Sequence, residues 1–198
     1  MVEIDKTLIV GGGIAGLTLA AALHAQGFGV DLIERNPNWQ TLGAGMAIQP
    51  NAMRALRALE LDGAIADRGM VLHHWCFCDR RGELLCEIDL RDFWKDVGPF
   101  IGIERAKLQQ ALLIGVAAVP YRLDTSVVAL RQDHDGVSIC FSDGSSGRYD
   151  LVVGADGISS SIRELAFGVN LPAGAGHIAW RSVVPMPPAK PCGYGASQ

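Results

Sequence analysis

Apolar residues fall along this chain in two rhythms, and the changes between them mark its organisation. Residues 6 to 10 end in the unbroken run Leu8-Ile9-Val10, the pattern of a central parallel strand buried on both faces. A helix is expected from about Ile14 to Gln26, where Ala15, Ala20, Ala21 and Ala22 are small enough for close packing on a sheet. Gly27 and Gly29 end it, and Val30-Asp31-Leu32-Ile33 forms a second strand ending at Glu34, which completes a βαβ unit. After a loop with Pro37, Gly43 and Gly45, Pro50-Asn51 opens another helix, with Asn51 as its N-cap and Met53, Leu56 and Leu59 on its inner face. The rhythm changes to period two from Val71 to Asp89, where Asp79-Arg80-Arg81-Gly82 is the turn of a β-hairpin. Helical spacing returns near Arg105, with Leu108, Ala111 and Leu112 on one side. Residues 121 to 150 read as an antiparallel meander, residues 150 to 154 as a buried strand, the segment from about Ser159 as a helix, and residues 177 to 184 as a strand. A doubly wound nicotinamide dehydrogenase continues with a third parallel strand soon after residue 50. Here a hairpin and a meander intervene.

Two segments share one grammar of strand, glycine turn and helix start. The first is Gly11-Gly12-Gly13-Ile14-Ala15-Gly16. In this Gly-x-Gly-x-x-Gly spacing Gly11 permits the turn, Gly13 lets a pyrophosphate approach the backbone, and Gly16 lets helix and strand sit close. The phosphates then meet the free N–H groups and positive dipole of a helix N-terminus. Glu34, at the end of the next strand, is placed to accept both ribose hydroxyls of an adenosine and to repel a 2′-phosphate, so the nucleotide is FAD or NAD and not NADP. Arg35 is placed for the adenine side. The second segment is Asp156-Gly157-Ile158-Ser159-Ser160-Ser161. Its acid and serines suit either a ligand or a plain helix cap. Arg105 opens a helix, where a cation is poorly placed. An anionic ligand would make that placement useful, and a surface ion pair with Glu104 or another acid is the alternative. His73-His74-Trp75 reads as packing, because neighbours on a strand point to opposite faces.

Composition narrows the classes. The 198 residues are 49% hydrophobic and 19% charged, which supports a packed core of one large domain, or one domain and part of another. The net charge is −4 and the basic residues are scattered, so no nucleic-acid partner is expected. The longest apolar stretches are too short to span a bilayer, and an acidic start argues against a signal peptide, so a cytoplasmic protein is expected. Five cysteines without a C-x-x-C pair suggest neither a disulfide framework nor a zinc site, and no metal site is expected. Cys76 and Cys78 share a strand face and read as small buried side chains. No Tyr-x-x-x-Lys pair is present, which disfavours a short-chain reductase.

The pairing of the two glycine segments resembles the single-component FAD-dependent aromatic hydroxylases, such as salicylate, urate and para-hydroxybenzoate hydroxylases. The matching segments are GGGIAG, Glu34-Arg35, GAGMAIQPNAMRALRALEL, IERAKLQQAL around Arg105, and DLVVGADGISSSIRE. The resemblance implies an α/β fold. It combines a Rossmann-like FAD-binding domain (residues 1–70 and 99–170), holding a parallel central sheet and the meander, with part of a β-sheet substrate domain (71–98 and 171–198). It also implies roles. Gly11, Gly13, Ile14, Ala15 and Gly16 would hold the FAD pyrophosphate, and Glu34 the ribose. Gly45, Met46 and Ala47 would run beside the isoalloxazine, Arg105 would reach the ribityl–pyrophosphate region, and Val127 would offer backbone to adenine. Asp156 and Gly157 would support the phosphate region and serve NAD(P)H.

The reaction implied is hydroxylation of a small aromatic substrate by O2 through a C4a-hydroperoxyflavin, with NAD(P)H as co-substrate; no catalytic acid or base can be assigned. A related halogenase, epoxidase or reductase, or a non-catalytic FAD- or ADP-binding fragment, are the alternatives. The family carries a Gly-Asp pair further along, and this chain has none. It is therefore expected to be the N-terminal portion of a longer hydroxylase, inactive alone and open to homo-oligomer formation or association through exposed sheet edges.

Overall fold

The computed structural model describes residues 4–39, 45–168, 174 and 176. The chain begins with strand β1 (Lys6–Val10), helix α1 (Ile14–Ala25) and strand β2 (Gly29–Ile33). Next come β3 (Gly45–Ile48), α2 (Pro50–Arg57), α3 (Asp62–Ala66), β4 (Met70–Val71), β5 (His74–Cys78), β6 (Leu84–Asp89), α4 (Leu90–Phe93), β7 (Ile101–Glu104) and α5 (Arg105–Gly115). The remaining described elements are β8 (Tyr121–Arg122), β9 (Val127–Asp133), β10 (Gly136–Phe141), β11 (Ser146–Tyr149), β12 (Leu151–Gly154) and α6 (Ser161–Phe167). The described residues form two compact units, one of residues 4–39 with 112–168 and one of residues 45–111. Residues 45–70 and 99–111 thus group with the hairpin rather than with the first βαβ unit. The expected strand at 177–184 lies outside the described residues.

The first unit is built on a parallel sheet of order β12-β1-β2-β8. Strand β1 lies at its centre with four of five residues buried, which explains its unbroken apolar run. Alternation along the strand divides its side chains between two layers. Leu8 and Val10 join a core cluster with Ile33, Val127, Val137, Ile139, Phe141, Tyr149 and Ile162, so the meander β9-β10-β11 covers that face. Ile9 points the other way, toward α1, whose buried residues are Gly16, Leu17, Ala20 and Ala21. The fold is α/β, with a parallel sheet and an antiparallel meander. Tyr121–Arg122, expected in the meander, instead pairs in parallel with β2 as the sheet edge. Two residues are too few to show a period.

The second unit contains an antiparallel sheet of order β3-β7-β4 and the β5–β6 hairpin. The hairpin turn forms as expected: Asp79 Oδ1 accepts the N–H groups of Arg81 and Glu83, and Gly82 takes a φ of +84°. Trp75 stacks on Phe77 at 6.0 Å and meets Phe100 edge-on at 5.6 Å, which supports the packing role. His74 Nδ1 lies 3.0 Å from Glu87 Oε1, without the alignment of a hydrogen bond. Two local expectations are corrected. The N-cap of α2 is Gln49, not Asn51, because Pro50 takes the first helical position, where its fixed φ fits and its missing N–H costs nothing. Cys76 and Cys78 share a face but are half-buried, Cys86 is exposed on the hairpin, and Cys140 is exposed on the central meander strand, because its neighbours Ile139 and Phe141 take the core-facing side.

A half-buried polar link ties the meander to the sheet. The Tyr149 hydroxyl donates to Asp31 Oδ2 at 3.0 Å, with Lys6 Nζ 4.7 Å from the ring centre. Burial, helped by the Asp31 hydrogen bond and charge, pushes the Tyr149 hydroxyl up to about 12. A raised folded value means this contribution is complete below the ordinary value of 10.0 and is lost as pH rises toward 12. Tyr149→Phe should cost about 1 kcal/mol at pH 7. Urea unfolding compared at pH 7 and above pH 10 should show the wild type losing that advantage while the variant does not.

Candidate functional site: a nucleotide cradle at the carboxyl ends of the parallel strands

Register brings the two glycine segments together. Val10 is level with Ile33 on one side and Gly154 on the other, so Gly11, Glu34 and Ala155 leave the sheet side by side. In parallel α/β sheets ligands bind outside the carboxyl ends of the strands. The junction is closed by backbone: the Gly11 N–H donates to Ile33 O at 2.8 Å and the Ala155 N–H to Val10 O at 2.7 Å.

The glycines of the first segment divide by what surrounds them. Gly11 has a φ of +112°, and a Cβ on it would overlap the Ala155 carbonyl oxygen and lie 2.9 Å from the Asp156 nitrogen. A Cβ on Gly16 would overlap the Gly11 carbonyl oxygen. Both are required by the fold. Gly13 is different: its φ of −77° and ψ of −175° suit any residue, and a Cβ there would meet no atom within 4 Å. Nothing among the described residues explains a glycine at that position; an approaching ligand would.

Gly13 is also the N-cap of α1, with no side-chain cap hydrogen bond and no acid in the first turn. The helix therefore presents first-turn N–H groups and about half a positive charge without a side-chain partner of its own. Ile14 is half-buried and Ala15 exposed. Glu34 stands beside this end. Its Oε2 accepts the Gly12 N–H at 2.7 Å, and its Oε1 accepts the Asn36 N–H at 2.9 Å and Nδ2 at 2.6 Å. These bonds fix the carboxylate; Oε1 already accepts two of them, so the acceptor site left over is on Oε2. Arg35 is exposed, and the Val127 side chain lies in the core, so Val127 has only backbone to offer. Neither Asn36 nor Trp39 stands out in the sequence. Asn36 carries the weak signal of an amide two residues past an acid.

The second segment is built oppositely. Asp156 Oδ1 accepts the Ser160 hydroxyl at 2.6 Å, and Oδ2 accepts the Ser161 hydroxyl and the Ile162 N–H, both at 3.1 Å. Ser160 Oγ in turn accepts the Arg163 N–H at 3.0 Å. Burial opposes the charge on Asp156, but these hydrogen bonds prevail and hold its carboxyl below the usual range. The serines and the acid close the end of α6, and Gly157 (φ +80°) makes the turn into it. Asp156 thus acts on the 155–157 backbone that contacts Gly11.

In the second unit, β3 pairs with β7 so that Gly45 faces Glu104 and Met46 faces Ile103. This puts Arg105, the first residue of α5, next to the start of Gly45–Met46–Ala47. Arg105 is exposed; Glu104 pairs with Lys107 at 2.5 Å, so the expected alternative of an Arg105–Glu104 bridge is not what forms. Among the described residues, the one grouping with metal-like spacing is the exposed turn Asp133-His134-Asp135. Asp133 is already engaged there by Arg148 and the Asp135 N–H. No helix among them is long and apolar enough to cross a membrane.

Fold and cradle together define a dinucleotide-binding α/β protein. A family model described as an FAD binding domain matches residues 5–191, and the chain belongs to that family. It is 36% identical over 177 residues to an aurachin C monooxygenase/isomerase of Stigmatella aurantiaca, covering 89% of this chain and 46% of the relative. It is 32% identical to a 3-hydroxybenzoate 6-hydroxylase of Klebsiella oxytoca, covering 93% and 48%. Among solved structures, a variant of Klebsiella pneumoniae HpxO complexed with FAD superposes with a TM-score of 0.72 at 27% identity, covering 82% of this chain and 42% of that one. The chain spans about half the length of the curated relatives it matches.

Two outcomes follow. Gly16→Ala should lose several kcal/mol by forcing the helix off the turn, whereas Gly13→Ala should unfold within about 1 kcal/mol of wild type in urea. Ser160→Ala should cost about 1 kcal/mol at pH 7. Because the Asp156 carboxyl is depressed when folded, the cap's contribution is complete above the ordinary value of 3.8 and lost as pH falls through the lower folded one. The gap between Ser160→Ala and wild type should therefore narrow in unfolding curves taken below pH 3.8.

Proposed function

We propose that this chain holds the adenosine and pyrophosphate of FAD within a flavin-dependent monooxygenase that hydroxylates a small aromatic ring. The observation that carries the reading is Gly13, a glycine that the fold does not need, at the uncapped end of α1. The residues fit the group: first-turn N–H groups of Gly13, Ile14 and Ala15 for the pyrophosphate, Glu34 for the ribose diol, and exposed Arg35 and the Val127 backbone for adenine. Gly11 and Gly16 keep the turn tight, and Asp156 positions the backbone against it. Gly45, Met46, Ala47 and Arg105 form the second group, assigned to the isoalloxazine and the ribityl–pyrophosphate region.

When bound, the flavin would supply the redox chemistry, taking electrons from NAD(P)H and delivering one oxygen atom of O2 to the ring while the other leaves as water. The chain's own residues bind and orient. The Glu34 carboxylate admits a ribose diol and repels a 2′-phosphate. The cytoplasm, where NAD(P)H is supplied, is the matching compartment. Relatives named for monooxygenation of 3-hydroxybenzoate and 6-hydroxynicotinate support the aromatic substrate class.

Titration of FAD into the purified chain, followed by flavin fluorescence, tests the binding step. Saturable binding displaced by ADP is expected, with 2′-phospho-ADP at least tenfold weaker as a competitor. Glu34→Ala should weaken FAD by roughly tenfold, equivalent to about 1.4 kcal/mol. Displacement by pyrophosphate but not preferentially by ADP would contradict the adenosine assignment.

A further inference from the structure

Gly12 occupies a place where the Gly-x-Gly-x-x-Gly spacing accepts any residue, yet the structure has a reason for glycine there. A Cβ on Gly12 would overlap the Trp39 ring and lie 3.2 Å from the Glu34 Cβ. Trp39 follows β2 by way of Pro37, and its ring is tilted on Tyr121 at 5.2 Å and 59°. Tyr121 comes from β8, the strand beside β2, and is 48% exposed. This pair is not part of the apolar core cluster of the unit. It is an aromatic wall packed against the nucleotide turn at Gly12, the same glycine that the Glu34 side chain adjoins.

We infer that Trp39 is a specificity-determining residue of the nucleotide site, its indole forming the purine-side wall, and that Gly12 is glycine to admit it. The inference rests on the proposed FAD reading and deepens it. An indole held at the ribose end offers a flat, weakly polar face on which a purine stacks, whereas a bare pyrophosphate gains nothing from it. Trp39 therefore selects adenine nucleotides over smaller phosphates that the α1 terminus alone would accept.

The test is calorimetric titration of the whole chain with ADP and separately with inorganic pyrophosphate, in wild type, Trp39→Phe, Trp39→Ala and Gly12→Ala. Trp39→Ala should weaken ADP by tenfold or more and leave pyrophosphate unchanged. Trp39→Phe should restore most of the ADP affinity. Gly12→Ala, which displaces the indole, should lower ADP affinity in the same direction. The chain has four tryptophans, so the quenching of intrinsic fluorescence by ADP should be largely lost in Trp39→Phe. That loss is a second readout if the alanine variant fails to fold. ADP binding to Trp39→Ala at wild-type strength, or an equal loss for ADP and pyrophosphate, would overturn the inference while leaving the FAD reading intact. A wild-type chain that binds pyrophosphate but not ADP would overturn both.

Discussion

The carbonyl oxygen of Gly11 lies so close to Gly16, and Gly11 itself so close to the Ala155–Asp156 backbone, that no side chain fits at either glycine. This crowding is where β1, α1 and the end of β12 meet, and the site depends on it. If the turn opened to admit a Cβ, α1 would move off the sheet, and its first-turn N–H groups would no longer stand beside Glu34. The buried run Leu8-Ile9-Val10 holds the other end of the same junction by pairing with β2 on one side and β12 on the other. Packing density inside proteins makes such a contact unforgiving.

The two strand–turn–helix segments look alike and work differently. At α6 the orphan N–H groups left by helix geometry are answered by Asp156 and Ser160. At α1 the N-cap is a glycine, which offers no side-chain cap, and the first turn holds no acid. A glycine cap is only a few tenths of a kcal/mol weaker than a serine one, so leaving this helix end without a side-chain cap gives up little stability. A dinucleotide pyrophosphate would satisfy those groups directly and gain from the helix dipole. Asp156 participates at one remove, by fixing the segment against which Gly11 packs.

Much of the first unit was legible in the chain itself because its signals are local and repeated: the doubly buried strand, the small residues of α1, the Asp–Gly turns of the meander. The second unit was less so. The β3-β7-β4 sheet joins segments of four, four and two residues across more than fifty positions, and strands that short carry no usable period. Pro50 moved the α2 cap to Gln49 by a rule that Asn51 masked. At the site, Gly11, Gly16 and Glu34 could be found from spacing. The distinction between Gly13 and its neighbours needed coordinates, because it turns on empty space. Asn36 and Trp39 become visible only once the loop after β2 folds back on Glu34 and Gly12.

The most direct measurement of the central claim is amide hydrogen exchange, residue by residue, with and without saturating ADP. New protection is expected at Gly13, Ile14, Ala15 and Gly16, with little change at Ser161, Ile162 and Arg163, whose helix end is already closed. Protection appearing at the start of α6, with none at the start of α1, would contradict that claim.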